Sequence, residues 1–242
     1  MTVCVVIKTG DARARGSYIK KMFNPRLKTP SNIVVVGPSK SGKTYWVSRM
    51  IRERRDLFRE PLDRVVFCYG EWQKGFEALQ QDQGVTMIEG LPDDLYDRFE
   101  GLPGMLVLDD LMVESSNNPE VEKLFTRGTH HRGSTTVFLT QNLFRKGSRT
   151  QSLNTHYVVA FKNPRDQTQM GFLFRQAFPK QQKFVEEAFK DATQREYGYL
   201  LFDFETDTPD AFRLRTRIFP TDPGPQVVYM HKNEPWPTTP RQ

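Results

Sequence analysis

A chain of 242 residues, 37% hydrophobic and 26% charged, can bury one large α/β domain with extensions, and it contains no apolar run of membrane-spanning length. Cys4 and Cys68 both sit in apolar, strand-like runs, so they read as reduced core thiols of an intracellular protein rather than a disulfide framework or a metal site. The net charge of +6 is concentrated at one end: residues 1–31 carry seven basic side chains against Asp11 alone, and 28 basic and 28 acidic side chains balance in the remainder.

Thr2–Lys8 is a candidate short strand, too brief for a secretion signal and followed by charge. Thr9–Pro30 is polar and basic, with Lys8, Arg13, Arg15, Lys20, Lys21, Arg26 and Lys28 along or beside it, and is expected to be an extended arm across the domain surface. Such an arm suits a polyanion or an acidic protein face; a solvated lead-in is the equal alternative. The domain itself is expected over residues 31–219, with a proline-rich, loosely ordered tail over 220–242.

The β-branched run Ile33–Val36 predicts a buried strand, and Gly37-Pro-Ser-Lys-Ser-Gly-Lys-Thr44 follows at once. Tyr45 then opens an amphipathic helix with Trp46, Val47, Met50, Ile51, Leu57 and Phe58 on one side, closed by Pro61; its arginines 49, 52, 54 and 55 are expected on a solvated face. Strand, glycine loop and helix in this order are the setting of a phosphate-binding loop. Gly37 and Gly42 permit the dihedrals and close approach with which the backbone N–H groups of Pro38-flanked Ser39, Lys40 and Ser41 wrap anionic oxygens. Lys43 would reach the β- and γ-phosphates of ATP, and the Thr44 hydroxyl would ligate Mg²⁺.

Further strands are expected at Arg64–Tyr69, Thr86–Glu89, Met105–Leu108, Thr135–Thr140 and Tyr157–Phe161, with helices over Trp72–Gln80, Pro92–Phe99, Asn118–Arg127, Gln167–Gln176 and Lys180–Asp191. Tyr199–Phe204 and Phe212–Phe219 read as a late antiparallel pair. Alternating strands and helices predict an α/β fold, a mainly parallel central sheet with helices on both faces, whose ligand edge lies at the carboxyl ends of the strands. On that edge Asp109 would hold Mg²⁺ beside Thr44, Asp110 would polarise a water for in-line attack, and Gln141 would sense the γ-phosphate. Asp110 is one methylene shorter than the glutamate that most such ATPases use there.

From Lys123 to Arg165 there is no Asp or Glu, while Lys123, Arg127, Arg132, Arg145, Lys146, Arg149, Lys162 and Arg165 fall within the span. Some of these arginines are candidates for reaching a neighbouring subunit's γ-phosphate, and others for contacting a nucleic-acid backbone. His130-His131 has no cysteine or carboxylate at ligand spacing, so no metal site is expected there.

Together, Gly37–Thr44, Leu106-Val-Leu-Asp-Asp110, Phe125-Thr-Arg-Gly-Thr-His-His131 and Phe138-Leu-Thr-Gln-Asn-Leu-Phe144 resemble the A32-like DNA-packaging ATPases of the FtsK–HerA superfamily. Ser152–Tyr157 and Phe161–Asp166 are similar to a stretch of the polinton- and adintovirus-like members, and the resemblance covers roughly residues 30 to 180. It implies a P-loop NTPase of the ASCE type, with an extra strand between the loop and the acid pair, which the interval from Lys43 to Asp109 can accommodate.

It further implies a motor without RNA that oligomerises, with a ring expected. Such a motor drives viral double-stranded DNA into a preformed capsid by ATP hydrolysis and meets a capsid or portal-vertex protein, in the virion and the infected cell. The resemblance carries Lys43, Thr44, Asp109, Asp110 and Gln141 into the roles above. The trans-acting arginine is fixed by no motif; Arg127 and Arg132 lead, followed by Arg145 and Arg149. The relatives' additional nuclease or DNA-recognition domain has no room here, so genome selection is expected from the arm, the tail or another protein.

Other P-loop functions fit less well. A helicase would need a second motor domain or more motifs, and a filamentous-phage-type assembly ATPase a membrane span. A nucleotide kinase would need a lid and acceptor pocket, and a GTPase an Asn-Lys-x-Asp motif that His231-Lys-Asn-Glu does not supply. A loop that binds without hydrolysing is disfavoured by the intact Lys43, Thr44, Asp109 and Asp110.

Overall fold

The computed structural model describes residues 3–7, 24–92, 104–109, 111, 134–144 and 154–231. The expected helix over Pro92–Phe99, beyond its first residue, and that over Asn118–Arg127 lie outside them, as do Asp110, Arg127, Arg132, Arg145 and Arg149.

In chain order the elements are β1 (Val3–Ile7), β2 (Asn32–Val36), α1 (Lys43–Arg52), α2 (Arg54–Leu57), β3 (Arg64–Tyr69), α3 (Glu77–Gln80), β4 (Val85–Glu89), β5 (Gly104–Asp109), β6 (Thr135–Thr140) and β7 (Tyr157–Phe161). They continue with α4 (Thr168–Ala177), α5 (Gln182–Ala192), β8 (Tyr199–Asp203), β9 (Leu214–Thr216) and β10 (Gln226–Met230). The described strands form one sheet in the order β1-β10-β9-β8-β7-β2-β6-β5-β3-β4. From β7 to β4 every pairing is parallel; from β7 back to β1 every pairing is antiparallel.

Strands buried on both faces need apolar side chains at successive positions, and β2, β5 and β7 have them. Alternate residues therefore feed two cores. Val34, Val36, Leu106, Leu108 and Val158 pack with Leu173 and Phe174 of α4 and Val185 and Ala188 of α5. Ile33, Val35, Met105, Val107 and Val159 pack with Trp46, Val47, Met50 and Ile51 of α1 and Leu79 of α3. The result is an α/β sheet covered on both faces, with the P-loop following its strand directly.

The strand that separates the loop strand β2 from the acid strand β5 in space is β6, which comes later in the chain. The interval from Lys43 to Asp109 instead supplies β3 and β4, on the far side of β5. Val36 of β2 aligns with Thr140 of β6, and Leu108 of β5 with Phe138 of β6, so all three strands end at one edge.

Several expectations need correction. The helix after the loop is interrupted at Glu53 (φ −98°, ψ 13°), so α1 and α2 are separate. Only Glu77–Gln80 of the stretch from Trp72 is α-helical; Trp72 instead packs edge-on against Tyr69 and Phe76, and the three rings cluster with centroids 5.5–5.6 Å apart. The late strand is confined to Leu214–Thr216 because Asp210–Phe212 is a 3₁₀ turn and Arg217 adopts φ 52°.

The proline-rich end is ordered over Gln226–Met230, which pairs with both β9 and β1. The arm, too, does more than cross the surface. Leu27 is fully buried, its N–H and C=O bridging to Leu57 O and Arg59 N at 2.9 and 2.8 Å, and the Lys28 ammonium lies 3.4 Å from Glu205 and also pairs with Asp207. No helix among the described residues is long and apolar enough to cross a membrane.

Candidate nucleotide site

The loop is positioned by three strand ends. Gly37 N–H donates to Thr140 O of β6 at 3.2 Å, and a Cβ at Gly37 would fall 2.8 Å from Phe161 Cβ of β7 and 2.7 Å from Ser41 Oγ. Only glycine lets the loop sit this low between its neighbours. Lys40 (φ 64°) and Gly42 (φ 100°) take left-handed conformations, which fold the loop over so that Gly42 caps α1. Intrahelical bonding begins with Trp46 N–H to Gly42 O at 2.8 Å, and the first-turn N–H groups before it have no helical carbonyl to meet. The helix dipole adds positive potential there.

Lys43 Nζ donates to Gly37 O at 2.8 Å and to Pro38 O at 3.0 Å, so its ammonium is held inside the loop by two carbonyls. Thr44 Oγ1 donates to Asp109 Oδ2 at 3.4 Å, although the two residues stand 65 positions apart. Asp109 is 3% exposed and ends β5 opposite Tyr69, with Asp109 O accepting from Gly70 N–H at 3.2 Å. Ser41 Oγ is buried and makes no hydrogen bond among the described residues. A hydroxyl, a buried carboxylate and a second, unengaged hydroxyl are hard oxygen donors, the chemistry that suits Mg²⁺.

Gln141 is exposed, one residue beyond the end of β6. The turn after it is tightly tied: Thr140 Oγ1 donates to Asn142 O at 3.0 Å, and Leu143 N–H donates to the Gln169 side chain at 2.8 Å. The structure thus brings Gly37–Thr44, Asp109 and the Thr140–Gln141 strand end to one edge. Ser39 and Lys40 are exposed at the loop's crest, and Tyr45 is 55% exposed at the start of α1.

The helix behind the loop is anchored by side chains that the sequence pattern placed on a solvated face. Arg49 Nη1 donates to Asp222 at 2.8 Å, its Nη2 to Thr221 Oγ1 at 2.8 Å and its Nε to Glu53 at 3.2 Å, and its guanidinium lies 4.1 Å from the Phe219 ring centroid. Burial by itself would lower the Arg49 pKa, but Asp222 and Glu53 outweigh it and hold the group above its ordinary value. Arg54 is buried, donating to Ile51 O at 2.7 Å and Leu62 O at 2.9 Å and gripping both oxygens of Asp82. Trp46 packs edge-on against Tyr199 and Phe219 at 5.7 and 5.3 Å.

A further residue at the loop was not signalled in the sequence. A Cβ at Gly42 would lie 2.6 Å from Tyr197 Cδ1, so the Tyr197 ring rests directly against the loop's last glycine. It comes from the turn before β8, and no spacing rule connects it to Gly42.

No protein-family model and no curated protein matches the chain. Among solved structures, B204, the DNA-packaging ATPase from Sulfolobus turreted icosahedral virus, superposes with a TM-score of 0.50 at 11% identity, over 72% of this chain and 92% of that one. The genome packaging NTPase B204 of Sulfolobus turreted icosahedral virus 2, bound to ATP-γS, aligns with a TM-score of 0.48 at 14% identity, over 80% and 97%. The cytoplasmic domain of the Thermomonospora curvata type VII secretion ATPase EccC aligns with a TM-score of 0.49 at 12% identity, over 83% of this chain and 25% of that one. At such identities the likeness concerns architecture, and the architecture is that of an α/β P-loop NTPase.

Proposed function

We propose that the chain is the ATP-hydrolysing subunit of an oligomeric motor, a ring, that moves viral double-stranded DNA into a preformed capsid. The observation that carries the hydrolytic part is the Thr44 hydroxyl set 3.4 Å from the buried Asp109 carboxylate at the mouth of the loop. In this reading Lys43 exchanges the carbonyls of Gly37 and Pro38 for the β- and γ-phosphate oxygens of ATP, while the N–H groups from Pro38-flanked Ser39 to Tyr45 hold the remaining oxygens. Thr44 and Asp109 would hold Mg²⁺, which when bound neutralises charge on the phosphates. Asp110 accepts a proton from the attacking water, and Gln141 contacts the γ-phosphate or that water.

The motor part is supported by three features: the ordered motif set in the sequence, the β6 insertion between β2 and β5, and the fold shared with B204, itself a DNA-packaging ATPase. These favour the A32-like branch of the FtsK–HerA superfamily. In the oligomer Arg127 or Arg132, then Arg145 or Arg149, would stabilise charge on a neighbour's γ-phosphate, and the acid-free span from Lys123 to Arg165 would face the DNA path. The capsid or portal vertex would be its docking partner, in the infected cell and the virion.

The test is ATP turnover with and without double-stranded DNA over a salt series, alongside the oligomer mass in solution. The expected result is a multimer whose turnover rises with DNA and loses that stimulation as salt increases. A monomer, or turnover indifferent to DNA at low salt, would overturn the motor.

A further inference from the structure

The cleft that opens from the last glycine of the loop has a volume of about 520 Å³, within the ~300–1,000 Å³ typical of small-molecule sites. It starts at Gly42 and Tyr45, where a nucleotide's sugar and base must leave the loop if its phosphates lie inside. Its floor is apolar and fixed: Trp46, Tyr199 and Phe219 are buried there and pack on one another. Its rim carries two exposed rings, Tyr45 at 55% and Tyr197 at 51%, with centroids 5.9 Å apart and planes inclined by 39°.

Tyr197 is unusual on two counts. Its φ of 56° is in the left-handed region, which costs any residue with a Cβ and is uncommon for an aromatic. The ring nevertheless stays half exposed, so packing does not offset that strain. The turn requires glycine at the next position, since a Cβ at Gly198 would lie 2.6 Å from Ala192 O. The strained turn presents a flat aromatic face beside the loop, a conformation that burial does not explain and ligand contact would.

We infer that this cleft receives the base of the bound nucleoside triphosphate, that Tyr197 is the stacking surface with Tyr45 as its edge, and that the site favours purines by stacking area. The inference rests on the reading of Gly37–Thr44 as a triphosphate site. The two rings stand too close and too tilted to sandwich a base, so it lies against the cleft side of Tyr197. Of the polar side chains that line the cleft, Asp191 is engaged by the Tyr229 hydroxyl at 2.6 Å and Asp222 by Arg49 at 2.8 Å, while Gln194 and Glu196 are exposed at its rim.

The experiment is equilibrium binding of ATP, GTP, CTP, UTP and inorganic tripolyphosphate to the full chain and to three variants. Wild type should hold both ATP and GTP about tenfold more tightly than CTP or UTP. Tyr197→Gly relieves the left-handed strain and keeps the turn, so its melting temperature should hold or rise while ATP affinity falls about tenfold. Tyr197→Ala should lose the same ATP affinity, and Tyr197→Phe should retain it; tripolyphosphate should bind all of them equally. Unchanged ATP affinity in both truncations would overturn the stacking role, and so would a parallel loss of tripolyphosphate, which would mean that the ring merely props the loop. Equal affinity for purine and pyrimidine triphosphates would overturn selection by area. If wild type bound neither ATP nor tripolyphosphate, the triphosphate reading would fall, and the base site with it.

Discussion

The two halves of the sheet are built for different tasks. The parallel half, β7-β2-β6-β5-β3-β4, ends its strands along one edge, and there the loop, Asp109 and Thr140 converge. Its interior is mainly aliphatic and aromatic, with Asn32, Thr135 and Thr136 as fully buried uncharged polar side chains. The antiparallel half, β8 to β10 with β1, contributes nothing to that triad of contacts, and its interior contains an ion pair: Arg215 and Asp203, 1% and 2% exposed, with Arg215 also donating to Pro25 O at 2.7 Å. Chemistry needs strand ends that leave side chains and N–H groups pointing outward from a rigid floor. An appended antiparallel ribbon needs register, and a buried ion pair between neighbouring strands can specify it.

The largest expected effect separates the halves outright. Asp203→Ala strands the Arg215 charge in the interior and should cost about 3–5 kcal/mol in denaturant unfolding, whereas replacing both partners with apolar residues of similar volume should be close to neutral. Comparable losses in single and double variants would mean that the pair is more than a register device. Next comes Lys43→Ala, which should reduce ATP turnover at least about a hundredfold while the unfolding midpoint hardly moves. A large drop in stability with turnover intact would reverse the division of labour.

A smaller effect probes the link between the halves. Arg49→Ala removes the bonds from α1 to Asp222 and Thr221 and the contact with Phe219, and should cost about 1–2 kcal/mol. If the link also orients the loop helix, kcat should fall along with stability; a pure stability change would confine Arg49 to packing.

The smallest concerns the outer edge of the parallel half. Asp82→Asn should cost about 1 kcal/mol at pH 7. The Arg54 hydrogen bonds hold the Asp82 carboxyl below its ordinary pKa, even though burial pushes the other way. Because the folded pKa is the lower one, its contribution is fully present above the unfolded value of about 4 and disappears as pH falls through the folded value. Wild type and variant should therefore converge in stability only at strongly acidic pH; convergence near neutrality would contradict the pairing.

Much of the parallel half was legible because its signals are local. An Ile-Val-Val-Val run before Gly37, or Leu-Val-Leu before Asp109, states both a buried strand and where it ends. Glu53 breaks the first helix although the apolar pattern continues through it, because the turn there is tied by Arg49 and by Thr221 from a distant segment. The basic look of α1 and α2 misled for the same reason: Arg49 and Arg54 have partners far along the chain that no helical wheel reveals. Gln226–Met230 hid among prolines because a strand of five residues is defined by its neighbours β9 and β1 more than by itself.

The sequence by itself determined the phosphate loop, the acid-ended strand and the α/β class, since each depends on dihedral preferences and side-chain periods within a few residues. Only the tertiary structure decided that β6 lies between loop and acid, that the proline-rich stretch supplies a sheet strand, and that Tyr197 lies on Gly42. Those facts are contacts between segments far apart in the chain, and such contacts are chosen by the packing of whole faces and by which buried polar groups find partners.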